Sequence, residues 1–370
     1  MNLPTVLIVA PITGENFSGL TYSVPSTARA LHNIGVSVAL LTTATSKAYV
    51  NQEMFPVYYY KDEKNRTTTL EKLPSPFNKP DIIIFQSTYI PYHAKLAKEA
   101  IKNNIPYVIT PRGGMTLRAQ KSKHLKKKLG NFFFFNHMVK QSSKIHCLTL
   151  KEADDVKKWN DNIFIIPNGI DIPLEDLKGN SIDTKEVNFT FIGRLDINHK
   201  GLDLLIEAVN LISHNLKNAK IRIYGPAVDR SDVKLREMIK QYKLDEIVTV
   251  YGPVRGENKF DVLKNTDIFI HTSRFEGHPM AVLEALSYGI PCLLTPGTNI
   301  SKQVSNIGGG WEAPETAKGI ALAIEDILKN KSSYREMGLK GKEMVNQHYN
   351  WKNIAIKLVE EYNNILVNRQ

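Results

Sequence analysis

Short apolar runs that alternate with helical patterns recur along the whole chain, and this alternation most strongly limits how the sequence can fold. The first run, TVLIVA at Thr5–Ala10, is followed by a glycine-bearing loop and then by a helical pattern. Runs that are apolar on both faces become strands covered by helices on both sides of a parallel sheet. The sequence therefore predicts an α/β fold built from parallel strands.

The alternation occurs twice, which predicts two Rossmann-like domains. A chain of 370 residues is too long for one ordinary hydrophobic core. A polar, charged stretch at residues 171–185 separates the two halves and predicts a linker. We expect the strands of both domains to end at a shared cleft, because open α/β sheets bind ligands at the carboxyl ends of their strands. The predicted strands are residues 5–10, 36–41, 81–85, 107–110, 144–149 and 163–166 in the first half, and 187–193, 221–225, 248–252, 267–273 and 291–295 in the second.

The predicted boundaries place a first domain at residues 1–167 and a second at residues 168–349, with a final helix at 350–370. In this last segment Ile354, Leu358 and Tyr362 recur at helical spacing and predict one buried face. Asn350 stands in front of them as a plausible N-cap.

Composition limits the compartment and the partners. The net charge of +11 favours anionic partners such as a nucleotide, a phospholipid surface or a nucleic acid. The two cysteines, Cys147 and Cys292, sit in apolar runs and indicate buried thiols in a reducing compartment. The N-terminus lacks the basic segment of a signal peptide, and no apolar run reaches the length of a membrane span. We expect a cytoplasmic protein.

The segment RFEGHPMAVLEALSYGIPCL, at residues 274–293, carries the strongest functional signal. Pro279 suits the first position of a helix and Gly289 suits its end, so the pattern predicts a helix over residues 279–288. The unpaired backbone N–H groups at the start of this helix would form an anion site. The four residues at this start are Gly277, His278, Pro279 and Met280.

Two carboxylates flank this helix start, eight positions apart. Glu276 precedes the helix, and Glu284 lies more than one turn inside it among apolar residues. A buried carboxylate needs hydrogen-bond donors or a cation, and vicinal sugar hydroxyls are good donors. The alternative interpretation makes Glu276 an exposed loop acid and pairs Glu284 with a lysine or arginine.

The stretch GRLDINHKG places Arg194 at a strand end and Lys200 just before an amphipathic helix. Two cations at such a junction can neutralise a diphosphate, although a surface arginine beside a helix-flanking lysine remains the alternative. The spacing is not that of a Walker A loop, so the sequence argues against ATPase chemistry. Gly19, in the loop after the first strand, would let a ligand approach the backbone, but the nicotinamide fingerprint GxGxxG is missing.

A basic run beside an aromatic cluster lies at residues 110–140, with no acidic residue in it. Such a run suits the surface of an anionic bilayer, and nucleic-acid binding or a plain solvated helix are the alternatives. The phenylalanines at residues 132–135 follow it closely. The basic residues that we consider for an acceptor or a membrane are Arg112, Arg118, Lys126, Lys127 and Lys128.

Motifs for metal binding and hydrolysis are absent from the sequence. No HExxH, HxxxH or CxxC pair occurs, so we expect no protein-bound metal and no cofactor. No GxSxG elbow occurs either, which argues against an α/β-hydrolase.

Taken together, these motifs resemble the retaining glycosyltransferases of family 4, which have the two-domain GT-B fold. The pair Glu276 and Glu284 in EGHPMAVLE resembles the family's E-x7-E motif, and GRLDINHKG resembles its GR…KG element. Residues 168–171, NGID, resemble its NG[IV]D element, and TPRGGM resembles a run found in many transferases of cell-surface polysaccharides. The resemblance covers nearly the whole chain and implies that the last helix crosses back onto the first domain.

The resemblance also implies roles for these residues. Glu276 would contact the donor sugar, while Arg194 and Lys200 would stabilise the departing diphosphate. Glu284 would hold the ribose hydroxyls, and the amides of residues 277–280 would hold phosphate or sugar. Gly225 and Val254 would lie near the base, and Gly19 near the diphosphate. One position departs from the family, because Arg112 stands where many members have a histidine near the reacting sugar.

These implications predict transfer of a sugar, from a donor that we expect to be UDP-linked, with retention of the anomeric configuration. The expected acceptor is a lipid-linked saccharide of a cell-surface polysaccharide, met at the inner face of the membrane without a metal. A sugar-nucleotide epimerase of the same fold is one alternative. A basic nucleic-acid-binding protein is another, and it would leave the two glutamates without a purpose.

Overall fold

The computed structural model describes residues 3–12, 19–42, 53–61, 67–116, 135–173 and 186–368. The chain forms two compact units, the first of which contains Met1–Gly169 together with Trp351–Gln370. The second unit contains Ile170–Asn350. Each unit has its own parallel sheet, so the predicted α/β class with two Rossmann-like domains is confirmed.

The first unit contains a seven-stranded parallel sheet in the order β3-β2-β1-β4-β5-β6-β7. Six of its strands lie within two residues of the predicted ones, and β3 was not predicted. Strand β3 has only three residues and lies at the sheet edge, which leaves it little periodic pattern. The strands are β1 Thr5–Ala10, β2 Ser37–Thr42, β3 Val57–Tyr59, β4 Ile82–Gln86, β5 Tyr107–Thr110, β6 Lys144–Cys147 and β7 Ile163–Ile165.

Side chains of β1 alternate between two separate cores, one on each face of this sheet. Leu7 and Val9 pack in one core, and Val6, Ile8 and Ala10 pack in the other. This double burial explains why the strand is apolar along its length. The helices of the first unit are α1 Gly19–Asn33, α2 Pro91–Lys102, α3 Asn136–Lys140 and α4 Leu150–Val156, together with the C-terminal helix described below.

The second unit contains a six-stranded parallel sheet in the order β10-β9-β8-β11-β12-β13. The sequence predicted five of these strands and missed β13, another three-residue edge strand. The strands are β8 Val187–Ile192, β9 Ala219–Tyr224, β10 Val248–Tyr251, β11 Ile268–His271, β12 Cys292–Leu294 and β13 Gly310–Glu312. The helices are α5 Ile197–Lys200, α6 Leu202–Leu211, α7 Ser231–Gln241, α8 Gly256–Lys264, α9 Met280–Ser287, α10 Ser301–Asn306, α11 Ala317–Lys329 and α12 Tyr334–Tyr349.

The C-terminal helix, α13 at Trp351–Val367, belongs to the first unit. Its buried face, which includes Ile354, Leu358 and Tyr362, packs in the same core as Val6 and Ile8. Asn350 precedes it with extended backbone and follows the end of α12, so one residue separates two helices. The predicted linker at residues 171–185 lies largely outside the described residues. Within the described ranges, no helix has both the length and the apolar character needed to cross a membrane.

Candidate functional site

The adjacent strands β8 and β11 bring the two strongest sequence motifs together at the carboxyl ends of the strands of the second sheet. The two strands run parallel, so the loops that follow them start at the same end of the sheet. The loop after β8 contains Arg194 and leads to Lys200, and the loop after β11 contains Glu276. The fold therefore places these motifs next to each other, although Lys200 and Glu276 are 76 residues apart in the sequence.

Glu276 is held through one of its two carboxylate oxygens. Oε1 accepts hydrogen bonds from His271 Nε2 at 2.9 Å and from Ser273 Oγ at 2.7 Å. The Nζ of Lys200 forms a salt bridge with the same oxygen. The side chains of Glu276 and Lys200 are only 9% and 10% exposed, so this contact is largely sheltered from solvent. None of these three donors engages Oε2, which keeps its acceptor capacity for another group.

The surroundings keep Glu276 ionised. Burial alone would raise the pKa of Glu276, but the hydrogen bond from His271, together with the charge of Lys200 and its hydrogen bond, holds it well below its usual range. Burial lowers the pKa of His271 by more than the contact with Glu276 raises it, so His271 is neutral at physiological pH. Glu276 is therefore an acceptor of hydrogen bonds, and a weak base at neutral pH.

The loops after β8 and β11 are fastened to each other by hydrogen bonds. The Thr272 hydroxyl lies 3.0 Å from the carbonyl oxygens of both Lys200 and Gly201. The guanidinium of Arg274 donates two hydrogen bonds to the Asp203 carboxylate, at 2.7 and 2.8 Å. A β-carbon on Gly201, whose φ is +60°, would lie 2.1 Å from the carbonyl oxygen of Thr272. Only glycine permits this close approach, so the last glycine of the GR…KG element is required by the packing of the site.

Helix α9 begins at Met280, after Pro279 at its N-cap. The amide of Met280 donates to the carbonyl of His278 at 3.0 Å. That amide is therefore engaged, which differs from the prediction of unpaired N–H groups throughout residues 277–280. Gly277 is exposed, with open space around its α-carbon, and the backbone there is accessible to a ligand.

Glu284 has a partner that the sequence did not identify. Its Oε2 forms a salt bridge with Nζ of Lys259 from helix α8, and both side chains are 25% exposed. The carboxylate is therefore partly open to solvent and is paired with a cation, as in the alternative interpretation of the sequence. Sequence spacing could not indicate this pair, because the two residues lie on separate helices.

The remaining residues of the donor prediction follow other strands. Gly225 follows β9, where a β-carbon would lie 1.7 Å from the carbonyl oxygen of Gly193. Val254 packs at the edge of the apolar cluster that includes helix α9. The rings of Tyr224 and Tyr251, which end β9 and β10, stack at 4.6 Å beside these residues. Arg194 is exposed, and Gly19 begins helix α1 in the first unit.

Arg112 belongs to a polar network in the first unit. Its Nε donates to the Gln86 side-chain oxygen at 2.8 Å, and one terminal nitrogen donates to Asn168 Oδ1 at 2.6 Å. Burial lowers the pKa of Arg112 to about 10, so the guanidinium remains charged at neutral pH. The network joins the TPRGG turn to the NGID element. The other basic residues of the prediction, Arg118, Lys126, Lys127 and Lys128, lie outside the described residues.

Sequence reasoning missed two side chains of the Glu276 cluster, His271 and Ser273. Both lie at the carboxyl end of β11 and both are buried. A buried polar residue at the end of an apolar strand is uncommon, and this signal in IFIHTS could have identified them. In the part of the chain that the structure describes, no group of three or more His, Cys, Asp or Glu side chains could hold a metal ion.

We predict that Glu276→Gln lowers the free energy of unfolding at pH 7 by about 3 kcal/mol, because Lys200 loses its buried counter-charge. The folded pKa of Glu276 lies below its usual value of 4.5. The contribution of this charge is therefore fully present above that value and is lost as the pH falls through the folded pKa. Urea unfolding between about pH 7 and about pH 3 should show the two proteins converging in stability on acidification.

The matched control is Glu237→Gln, which removes an exposed carboxylate from helix α7. It should leave stability nearly unchanged across this range. A constant difference between wild type and Glu276→Gln at all pH values would contradict the depressed pKa.

Two family models match the chain. Residues 17–173 match "Glycosyltransferase Family 4", and residues 174–344 match "Glycosyl transferases group 1". The two matches are contiguous and include Glu276, Glu284, Arg194 and Lys200.

Curated relatives match about half of the chain. Mannosylfructose-phosphate synthase of Agrobacterium fabrum is 25% identical over 45% of this chain and 38% of its own length. The putative colanic acid biosynthesis glycosyltransferase WcaL of Salmonella typhimurium is 26% identical over 43% of this chain and 41% of its own length. The chain thus spans less than half the length of these relatives.

Likeness to solved structures extends over the whole fold. HepE of Anabaena, solved in complex with UDP, superposes with a TM-score of 0.77 at 14% identity, over 97% of this chain and 100% of that one. At this identity the likeness concerns the fold, and it confirms the predicted GT-B class. With both family models matched in sequence along residues 17–344, the chain belongs to the group 1, family 4 glycosyltransferases and is a transferase.

Proposed function

We propose that this glycosyltransferase moves a sugar from a UDP-linked donor to a lipid-linked saccharide, with retention, in the assembly of a cell-surface polysaccharide. The observation that carries the proposal is the ionised Glu276, fixed through one oxygen beside Lys200 and the open backbone of Gly277. In this proposal the second domain binds the donor and the first domain binds the acceptor. HepE, which shares the fold, binds UDP, and WcaL carries a name from polysaccharide biosynthesis.

The donor sugar would be oriented by Glu276. Its Oε2 can accept hydrogen bonds from sugar hydroxyls, while Oε1 stays occupied by three donors. A carboxylate whose pKa is held this low is a poor general base. We therefore assign Glu276 to binding and electrostatic stabilisation, and the oxygen of the leaving diphosphate to the uptake of the acceptor's proton.

Negative charge on the leaving diphosphate would be met by Arg194 and Lys200. Arg194 is exposed just after the carboxyl end of β8, and the charged side chain of Lys200 lies at the same end of the sheet. Fixed charges aimed at a developing anion contribute about 3 kcal/mol for each good donor. Lys200 would divide its three N–H donors between Glu276 and a phosphate oxygen, which its ammonium geometry allows.

The nucleoside would lie along helices α8 and α9. Glu284 is proposed to accept from the ribose hydroxyls through Oε1, because Lys259 occupies Oε2. Val254 and Gly225, with the stacked Tyr224 and Tyr251, offer a flat apolar surface for the base.

The proposed acceptor site is based on basic residues of the first unit. Arg112 remains a cation that donates hydrogen bonds to two neutral amides, Gln86 and Asn168, and the carboxylate of Glu152 acts on its charge. We propose that Arg112 also faces an anionic acceptor. The basic residues of 118–128 are proposed to hold the protein at the inner face of an anionic membrane.

Neutralising Lys126, Lys127 and Lys128 to glutamine should weaken binding to vesicles of anionic phospholipid, since each basic residue near the surface contributes about 1 kcal/mol. This effect is measured by comparing cosedimentation of the protein with anionic vesicles and with neutral vesicles. Unchanged binding to the anionic vesicles would indicate that these lysines face solvent and do not bind the membrane.

We predict that Glu276→Ala and Lys200→Ala each lower transfer at least about 100-fold. The assay is nucleoside diphosphate release from a panel of UDP-sugars, with a lipid-linked saccharide extract as acceptor. Far-ultraviolet circular dichroism should show both variants folded, and Glu237→Ala serves as the exposed control.

Two outcomes would count against the proposal. Wild-type turnover in the Glu276→Ala and Lys200→Ala variants would contradict the site. Conversion of the donor sugar without any acceptor would indicate an epimerase, because a transferase releases the diphosphate only as the sugar moves to an acceptor.

A further inference from the structure

His271 is a buried polar residue with no role in the mechanism above. It ends strand β11 and is only 2% exposed. The ring of Phe191 stacks at 5.2 Å with an interplanar angle of 12°, and that of Phe269 lies at 6.1 Å and 13°. Two nearly parallel aromatic neighbours restrict the plane of the imidazole, and the contact of Nε2 with Glu276 sets the orientation of the ring within that plane.

The contacts of the two ring nitrogens define the tautomer. Nε2 lies 2.9 Å from Oε1 of Glu276, and an ionised carboxylate can only accept a hydrogen bond. Nε2 therefore carries the hydrogen. Nδ1 is buried and has no hydrogen-bond partner among the described residues. A proton there would be a buried donor without an acceptor, which disfavours the imidazolium.

The other two donors to Oε1 are less rigid than His271. Lys200 reaches it at the end of a flexible four-carbon chain, and the hydroxyl of Ser273 can rotate. If Lys200 turns toward a phosphate, the imidazole N–H still defines where Oε1 lies. A hydrogen bond that holds Oε1 restricts rotation of the carboxylate about the Cγ–Cδ bond, and this limits where the second oxygen can lie.

We infer that His271 is a positioning residue, which acts as a neutral Nε2–H donor to hold Oε1 of Glu276 and so presents Oε2 to the donor sugar. The inference rests on the proposed function, in which Glu276 contacts that sugar. The charged groups that act on the imidazole are Glu276 and Lys200, and the rings of Phe191 and Phe269 lie beside it.

A donor-free experiment tests the tautomer directly. Long-range ¹H–¹⁵N NMR of the full chain, labelled at histidine and assigned with His271→Gln, reports which ring nitrogen carries hydrogen. We expect the neutral Nε2–H pattern from about pH 8 down to about pH 6.5, the ordinary histidine pKa, where an unperturbed imidazole would be half protonated. An imidazolium, or hydrogen on Nδ1, in this range would overturn the inference.

A kinetic experiment tests the positioning role, using the UDP-sugar that turns over fastest in the panel described above. His271→Phe keeps an aromatic ring in the stack and removes the donor, and we expect kcat to fall on the order of 100-fold with little change in donor KM. His271→Gln replaces the ring but returns an N–H near the position of Nε2, so it should recover most of the lost kcat.

The contrary results are distinct. Equal losses in folded Phe and Gln variants would make His271 a packing residue, and full activity in the Phe variant would make the hydrogen bond dispensable. If His271→Phe does not fold, the Gln variant and the NMR pattern decide. If no UDP-sugar turns over with the wild type, the proposed function fails, while the NMR result still judges the tautomer.

Discussion

One carboxylate oxygen, Oε1 of Glu276, organises the candidate site of this glycosyltransferase. It collects a salt bridge from Lys200 and hydrogen bonds from His271 and Ser273. These donors come from a helix end, a strand end and the loop that carries Glu276 itself. A buried charge with this many partners remains ionised and immobile, whereas an unpaired one would be expelled or neutralised. None of these three donors contacts the second oxygen, Oε2, and their hold on Oε1 restricts rotation of the carboxylate.

Hydrogen bonds between the surrounding segments hold the loop that carries Glu276 in position. Thr272 joins the loop of β11 to the carbonyls at Lys200 and Gly201, and Arg274 clamps Asp203 in helix α6. The free-energy cost of ordering these groups is met during folding, so the site is preorganised. Its dipoles and charges are already oriented when charge develops in a reaction. The proposed division of labour follows, in which Glu276 and the cations bind and stabilise, and none of them needs to move a proton.

Sequence reasoning predicted the strands of both sheets because their double burial leaves an unbroken apolar run. It missed β3 and β13, whose three residues at a sheet edge give no periodic signal. In the site, the motifs identified Glu276 and Lys200, but not that they contact each other across 76 residues of sequence. Lys259 was missed for the same reason, since its partner Glu284 lies on another helix. His271 was missed although a buried polar residue at the end of an apolar strand could have indicated it.

The most direct test of this account is a crystal structure of the chain with an intact nucleotide sugar. The account predicts that Oε1 of Glu276 keeps its contacts with His271 and Ser273, while a sugar hydroxyl lies within hydrogen-bond distance of Oε2. A sugar bound away from Glu276, or one that displaces His271 from Oε1, would contradict it.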